Sequence, residues 1–223
     1  MPKLAIVGYG KMGRLIDQLA PEYGFEVSAR VDVDRNESMD GADAAVEFSV
    51  PSAVLGNIRK AAALGIPIVI GTTAWSERLA EAKALIEANK SALVWSPNFS
   101  VGVNVFTRLV SEAARLLANE KEYGAWAWEI HHSTKKDAPS GTLLQLVDRM
   151  KAAGYARNID ASSNRAGAHP GTHEIGFDSP ADTITLRHTA RSREGFARGA
   201  LKAAQWIIGR EGFYEFSDVL FGG

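Results

Sequence analysis

The chain has 223 residues, with 25 basic and 26 acidic side chains and a formal net charge of −1. That balance offers neither a basic excess for nucleic acid nor an acidic tail for a charged partner, and the lack of cysteine excludes disulfides and thiolate chemistry. Since no segment approaches the roughly 18 uninterrupted apolar residues of a membrane span, we expect a cytoplasmic enzyme without nucleic-acid or membrane partners.

The first half of the sequence alternates short apolar runs with helical patterns. The runs predict five strands, over 4–7, 25–33, 44–48, 68–70 and 92–95. Helical periodicity predicts helices over 11–19, 52–64 and 76–88. Strands separated by helices imply right-handed crossovers and a parallel sheet. We therefore expect an α/β domain with a Rossmann-like parallel sheet, made of residues 1–103 and 194–223.

The second half has a different pattern, which predicts an α+β domain over residues 104–193. Helices are predicted over 103–119, 140–153 and 193–208, the last returning to the first domain. Strands are predicted over 125–131, 172–177 and 182–189. Residues 155–172 are rich in Ser, Gly, Ala and Asn, which indicates a mobile loop.

A glycine-rich turn follows the first strand and opens the first helix, in the pattern G-x-G-x-x-G. Gly8 permits a tight turn, Gly10 lets a pyrophosphate approach the backbone, and Gly13 lets helix and strand pack closely. Asp32, after the second strand, is placed to accept hydrogen bonds from an adenosine ribose. The alternative is a purely structural glycine turn. The predicted cofactor loop comprises Gly8, Tyr9, Gly10, Lys11, Met12 and Gly13.

The choice between NADH and NADPH depends on charge near Asp32. Val33 and Asp34 follow it, and neither is basic. Arg35 is near enough in sequence to meet a 2′-phosphate. The charges favour NADH over NADPH.

Two further segments lie at the carboxyl ends of predicted strands, where open α/β sheets bind ligands. Their small and hydroxyl side chains suit close approach to a nicotinamide ring, although such residues also terminate strands in ordinary turns. The predicted contacts are Gly71, Thr72, Thr73, Ser96, Pro97, Asn98 and Phe99.

The segment 129–142 concentrates chemically useful residues. His131 and His132 are adjacent, and Lys135 follows four residues after the first of them. Ser140 is a good N-cap, so Gly141 and Thr142 would begin a helix with free backbone N–H groups that bind an anion. Each feature alone is more often structural. Their combination predicts a site for a small dicarboxylate, and no cluster of metal ligands is evident, so we expect no metal.

The same segment, E-x-H-H-x-x-K-x-D-A-P-S-G-T, resembles the signature of the 4-hydroxy-tetrahydrodipicolinate reductase (dihydrodipicolinate reductase) family. The resemblance extends along the chain. It includes the glycine loop, the G-T-T turn at 71–73, the stretch N-F-S-V-G-V-N at 98–104, the pattern S-R-x-x-F-A-x-G-A at 192–200 and D-V-L at 218–220. The chain departs from the family between Asp32 and Ala44, where few residues remain for a helix.

The resemblance implies an NADH- or NADPH-dependent reduction in lysine and diaminopimelate biosynthesis. It implies that His131 is the acid/base group and Lys135 the proton donor, and that His132, Ser140, Gly141 and Thr142 hold the substrate carboxylates. It further implies a homotetramer built through the second domain. Two alternatives stay open: another two-domain dehydrogenase of amino or hydroxy acids, and a non-catalytic NADH-sensing module.

Overall fold

The computed structural model describes residues 1–35 and 37–222, which divide into two compact units. The first comprises residues 1–101 and 193–222, and the second comprises Gly102–Ser192. Within the described residues, no helix combines the length and apolarity needed to cross a membrane.

The first unit is built on a parallel sheet of six strands, in the order β10-β5-β4-β3-β1-β2. The strands are β1 (Lys3–Val7), β2 (Glu26–Val31), β3 (Ala44–Glu47), β4 (Ile68–Ile70), β5 (Ala92–Trp95) and β10 (Gly212–Glu215). The chain leaves β1 towards β2 on one side and returns to β3 on the other. The crevice for a ligand in such a sheet lies where the order reverses, beyond the carboxyl ends of β1 and β3.

Helices cover both faces of this sheet, which explains why its central strands β1, β3, β4 and β5 are mostly apolar. Along β1, Leu4 and Ile6 enter one core while Ala5 and Val7 enter the other, because successive side chains of a strand point to opposite faces. The first face is covered by α1 (Lys11–Leu19), α6 (Glu194–Ile207) and α7 (Phe216–Phe221), and the second by α2 (Val54–Ala63) and α3 (Leu79–Ala88).

The second unit is a four-stranded mixed sheet with helices on one face. Its elements are α4 (Val101–Leu116), β6 (Gly124–His131), α5 (Gly141–Ala152), β7 (Ile159–Arg165), β8 (Thr172–Asp178) and β9 (Thr183–Thr189). The order is β7-β6-β8-β9, with β7 parallel to β6 and the other pairs antiparallel. Phe106, Leu143 and Phe177 pack in the core between the helices and the sheet.

The predicted fold class is confirmed, a parallel-sheet Rossmann-like unit with a mixed α+β unit. The predicted mobile loop over 155–172 is wrong for its middle part, which forms β7. Only Ile159 of this strand is buried, so its composition carries no apolar signal, and backbone pairing with β6 holds it in place. The strand β10 was also missed by the sequence analysis, being four residues long and only half-buried.

The shortened connection after Asp32 is as predicted. Residues 32–35 and 37–43, the described part of the segment between β2 and β3, contain turns and no helix.

Within the first unit, helix α6 packs very close to the segment after β5 at Gly199. A Cβ atom there would lie 1.7 Å from the carbonyl oxygen of Phe99, so no side chain fits without moving the backbone. Gly56 in α2 is a matched contrast, since a Cβ there would have no neighbour within 4 Å.

We expect Gly199→Ala to lower the free energy of unfolding by about 1–3 kcal/mol, because overpacking displaces α6 from its neighbour. Gly56→Ala, in an exposed helical position, should raise it by about 0.5–1 kcal/mol. Urea unfolding of both variants measures the difference. Equal effects of the two substitutions would show that α6 can move aside freely.

Candidate functional site

The glycine loop has the geometry that a pyrophosphate requires. Gly8 has φ +89°, and a Cβ atom there would lie 2.3 Å from the carbonyl oxygen of Phe48. A Cβ on Gly13 would lie 2.2 Å from the Gly8 carbonyl oxygen, so this glycine allows α1 to pack on the loop. Gly10, by contrast, faces open space and is the N-cap of α1 without any side-chain cap. The first N–H groups of α1 are therefore available to an anion, as a dinucleotide would need.

Asp32 lies at the carboxyl end of β2 and is fixed by the backbone. Its carboxylate accepts hydrogen bonds from the N–H groups of Tyr9, at 2.6 Å, and Val33, at 2.7 Å. These bonds hold the pKa of Asp32 below its usual value. The guanidinium of Arg35 lies 4.5 Å from the centre of the Tyr9 ring, a cation–π contact beside the same loop.

Two adjoining pockets open at the carboxyl edge of the sheet, and they share Gly10, Phe48 and Ser49. The Asp32 pocket has a volume of about 480 Å³ and is lined by Val7, Gly8, Gly10, Val31, Asp32, Val33, Phe48, Ser49, Val50, Ala53, Asn57 and Lys60. The Thr72 pocket has a volume of about 460 Å³ and is lined by Gly10, Lys11, Met12, Phe48, Ser49, Pro51, Gly71, Thr72, Thr73 and Ala74. Their place is the point where the strand order reverses.

The pockets bring together most of the predicted cofactor residues. Those that do not line either pocket are Tyr9, Gly13, Ser96, Pro97, Asn98 and Phe99. The Tyr9 hydroxyl donates to Asp17 instead. Phe99 lies in the core, 4.8 Å from the ring of Phe216, and the Ser96 hydroxyl donates to the Asn98 carbonyl oxygen at 2.8 Å. As contacts to a cofactor, these six residues stay a prediction.

A buried carboxylate next to both pockets escaped the sequence analysis. Glu47, the last residue of β3, is fully buried. It accepts hydrogen bonds from the Ser49 hydroxyl and from Nδ2 of Asn57, at 3.2 Å for the latter. Burial raises the pKa of Glu47 above its usual value despite the bonds from Ser49 and Thr72. Glu47 thus fixes the side chains of Ser49 and Asn57, which line the Asp32 pocket. The only feature of the sequence that could have indicated this role is an acidic residue at the end of an apolar run.

In the second unit the predicted segment is organised around another buried carboxylate. Glu129 is fully buried on β6. It accepts hydrogen bonds from the Ser140 N–H at 2.7 Å, from Ser163 Oγ at 3.0 Å and from Arg165 Nη2 at 2.8 Å, and also from the Ser140 hydroxyl. Burial alone would raise the pKa of Glu129, but these bonds outweigh it and lower the pKa to about 2.

Two imidazoles contact the same carboxylate. Nδ1 of His131 and Nε2 of His173 each lie 3.3 Å from Oε2 of Glu129, and the ring centres are 5.1 Å apart. Burial lowers the pKa of His131, against the opposite effect of the Glu129 charge. Burial lowers the pKa of His173 to about 4. Gly171, with φ +132°, packs against the His131 ring, since a Cβ there would lie 2.9 Å from Nε2.

Glu129, His131 and His173 place potential metal-ligand atoms within 4.8 Å of one another. The guanidinium of Arg165 competes for this position, being permanently charged and 2.8 Å from Oε1 of Glu129. Glu129 also accepts both donors of Ser140, which leaves little of its capacity for a cation. We interpret the cluster as an ion-pair network, and the absence of a metal stays a prediction.

The segment after β6 carries the predicted lysine. Lys135 Nζ lies 2.7 and 2.8 Å from the two carboxylate oxygens of Asp137. The ammonium of Lys135 lowers the pKa of Asp137, and the Gly141 N–H adds a weaker effect, so this carboxylate lies near the start of α5. His132 is half-buried, with Nδ1 2.8 Å from the Thr134 hydroxyl.

Helix α5 begins as predicted. Ser140 is its N-cap, and the Ser140 hydroxyl accepts a hydrogen bond from the Leu143 N–H at 3.2 Å. Gly141 is exposed and Thr142 half-buried, and a Cβ on Gly141 would have no neighbour within 4 Å. Ser140 itself is 2% exposed, with its N–H and hydroxyl both donating to Glu129.

Comparisons with known proteins agree along the whole chain. Residues 2–99 match the family model "Dihydrodipicolinate reductase, N-terminus", and residues 102–220 match "Dihydrodipicolinate reductase, C-terminus". A 4-hydroxy-tetrahydrodipicolinate reductase of Christiangramia forsetii is 34% identical, with 97% of each chain covered. Another, from Caldanaerobacter subterraneus, is 36% identical over 95% of this chain and 94% of that protein.

Among solved structures, the dipicolinate-bound dihydrodipicolinate reductase from Paenisporosarcina sp. TG-14 has a TM-score of 0.84, at 20% identity, with 99% of this chain and 100% of that chain covered. At that identity the likeness shows the fold, whereas the family models and the two relatives show descent. The chain therefore belongs to the dihydrodipicolinate reductase family, oxidoreductases of lysine and diaminopimelate biosynthesis that use a nicotinamide cofactor.

Proposed function

We propose that this chain reduces the cyclic imine dicarboxylate formed when 4-hydroxy-tetrahydrodipicolinate loses water, giving tetrahydrodipicolinate. The observation that carries the proposal is the 129–142 segment, in which the buried His131 and the N-cap of α5 both contact the carboxylate of Glu129. When bound, the nicotinamide cofactor supplies the hydride, and the chain's own residues orient the substrate and manage its proton.

The direct test is oxidation of NADH or NADPH by the purified protein when the product of the preceding synthase is supplied. Turnover with that product supports the proposal. Turnover only with an amino or hydroxy acid would favour a different two-domain dehydrogenase, and cofactor binding without any turnover would favour a sensing module.

The start of α5 is the group best suited to a substrate carboxylate. The N–H groups of Gly141 and Thr142 have no partner within the helix, and the positive end of the helix dipole lies there. His132 and Lys135 would add donors for the second carboxylate. Ser140 has its donors engaged by Glu129, so we assign it the role of fixing the helix start. The substrate must displace Asp137 from Lys135 as it binds.

Hydride addition to the substrate ring leaves an enamine, which must then accept a proton. Two side chains of this segment can deliver that proton. His131 is buried next to Glu129, and the side chain of Lys135 is 24% exposed. We assign the delivery to Lys135, with His131 as the acid/base group beside it. The charges of Lys135 and Asp137 act on the pKa of His131, which supports their placement around one site.

For the cofactor, we propose that Gly8, Gly10, Lys11 and Met12 hold the pyrophosphate, with Asp32 on the ribose and Gly71, Thr72 and Thr73 on the nicotinamide side. The fixed carboxylate of Asp32 favours NADH, because it would repel a 2′-phosphate. The positive side chains of Arg35 and Lys60 act in the opposite direction, because they would attract the 2′-phosphate of NADPH. Comparing kcat/KM for the two cofactors tests it, and a higher value with NADPH would overturn it.

We further propose a cytoplasmic homotetramer, assembled through the second unit, without nucleic-acid or membrane partners. One face of its sheet carries partly exposed Trp126 and Trp128, on the side away from the apolar core. A strand with two large, partly exposed aromatic side chains on its outer face is typical of a surface that another subunit covers. Light scattering of the purified protein would contradict the tetramer if it gave the mass of a single chain, 24.0 kDa.

Gly10→Val should weaken the binding of both nicotinamide cofactors at least about tenfold, roughly 1.4 kcal/mol, because its side chain would occupy the space in front of α1. The fold should persist, since that space holds no protein atom within 4 Å. Fluorescence titration measures the affinity. Gly56→Val is the control, and unchanged affinity in folded Gly10→Val would remove the loop from the site.

Lys135→Ala should reduce turnover at least about 10²-fold, the lower bound for a positioned proton donor. Cofactor affinity should stay unchanged, since the glycine loop belongs to the other unit. The adjacent, exposed Lys136 is the matched control, and Lys136→Ala should have almost no effect. The reverse result would show that the roles of the two lysines are exchanged, and two mild effects would leave proton delivery to the histidines.

A further inference from the structure

Glu129 is the point at which three strands and a helix of the second unit meet. The carboxylate is on β6, and its partners come from β7, β8 and the start of α5. None of its surface is exposed. A carboxylate that is ionised and fully buried needs each of these partners, because removal from water costs several kcal/mol.

The two oxygens of this carboxylate have different surroundings. Oε1 accepts from the Ser140 N–H, from Ser163 and from Arg165. Oε2 accepts from the Ser140 hydroxyl and lies 3.3 Å from both His131 and His173. One oxygen therefore anchors backbone and guanidinium, and the other faces the imidazole that we assign to acid/base chemistry.

We propose that Glu129 is a positioning residue, which fixes the His131 imidazole and the carboxylate-binding start of α5 relative to one another through a single carboxylate. The proposal rests on the proposed function for the roles of His131 and α5. It adds that the group for proton transfer and the group for carboxylate binding are both anchored by the buried carboxylate of Glu129. Both contact the same carboxylate, the Ser140 N–H through a hydrogen bond of 2.7 Å and Nδ1 of His131 at 3.3 Å.

The geometry also makes Glu129 the charge that acts most directly on His131. The ionisable groups that face His131 are Glu129 on the same strand, His173 on β8, Arg165 on β7, and Lys135 and Asp137 in the following segment. Glu129 is ionised at neutral pH, since its pKa is about 2, and His173 is neutral there, since its pKa is about 4. Glu129 therefore favours the protonated form of His131 against burial and against the nearby cations.

A purely structural role for Glu129 predicts something different. If the carboxylate only capped α5 and paired with Arg165, its loss would lower stability without changing the titration of His131. The titration of His131 therefore distinguishes a positioning role of Glu129 from a purely structural one. It can be measured on the protein without substrate or cofactor, by NMR of isotope-labelled histidine, with a His131→Gln variant to assign the signal among the five histidines.

We expect Glu129→Gln to lower the pKa of His131 by about one pH unit or more, the usual effect of removing an opposite charge at this distance. At a pH well above that pKa the imidazolium fraction then falls at least about tenfold, and turnover should fall with it. The matched control is Glu174→Gln. Glu174 lies on β8 and pairs with Arg187 at 3.3 Å, so its neutralisation should leave both measurements unchanged.

A second variant covers the case in which Glu129→Gln does not fold. Ser140→Ala removes one hydrogen bond from Oε2 and leaves the charge in place, so Glu129 becomes a stronger partner for the imidazolium and the pKa of His131 should rise. Shifts of the His131 pKa in opposite directions in the two variants support the proposal. If Glu129→Gln does not fold, a rise of the His131 pKa in Ser140→Ala supports it alone. An unchanged titration in whichever variants fold would overturn it. Because no substrate enters the measurement, a failure here is distinct from a failure to turn over the synthase product.

Discussion

Burying the Glu129 carboxylate is favourable only if nearly all of its hydrogen-bonding capacity is used, and this requirement shapes the second unit. The donors come from Ser140, Ser163 and Arg165, which are 11, 34 and 36 residues away in the sequence. The parallel pairing of β7 with β6 brings the last two into place, since Ser163 lies opposite Glu129 in the register. The edge strand β7 has almost no apolar signal in its sequence. It nevertheless supplies two of the hydrogen-bond donors that the buried Glu129 carboxylate needs.

The first unit meets a different constraint, close backbone approach. Gly8 and Gly13 are enclosed by carbonyl oxygens, whereas Gly10 faces empty space. Gly8 and Gly13 thus serve packing, whereas Gly10 leaves open space in front of α1, the division of roles that the pattern G-x-G-x-x-G predicts. The same crevice holds Glu47, whose buried carboxyl group orders Ser49 and Asn57 along the pockets. In both units, therefore, a buried acid supports side chains that line a site.

Much of this organisation was predictable because it depends on local patterns. The strands from β1 to β5, the glycine loop and the N-cap at Ser140 each follow from neighbouring residues. What could not be predicted depends on long-range pairing. Strand β7 is polar, and Arg165 and His173 reach Glu129 only through sheet register. The place of Phe99 after β5 predicts a cofactor contact but does not reveal that its ring packs against Phe216 in the core.

Two ion pairs of the second unit, Arg165 with Glu129 and Lys135 with Asp137, differ in a way that would suit the proposed binding of a dianion. Arg165 pairs with a carboxylate that has no exposure, so breaking this pair would strand a buried charge and is strongly unfavourable. Lys135 pairs with Asp137, whose side chain is 56% exposed, and a pair of that kind contributes at most about 1 kcal/mol. The first pair is therefore a fixed part of the site, and the second can be exchanged at little cost. In the site that we propose, a substrate carboxylate would replace Asp137 at Lys135, and the pair of Arg165 with Glu129 would stay in place. Lys135 thus has a partner that can be exchanged at little cost, and Glu129 has partners that are costly to remove.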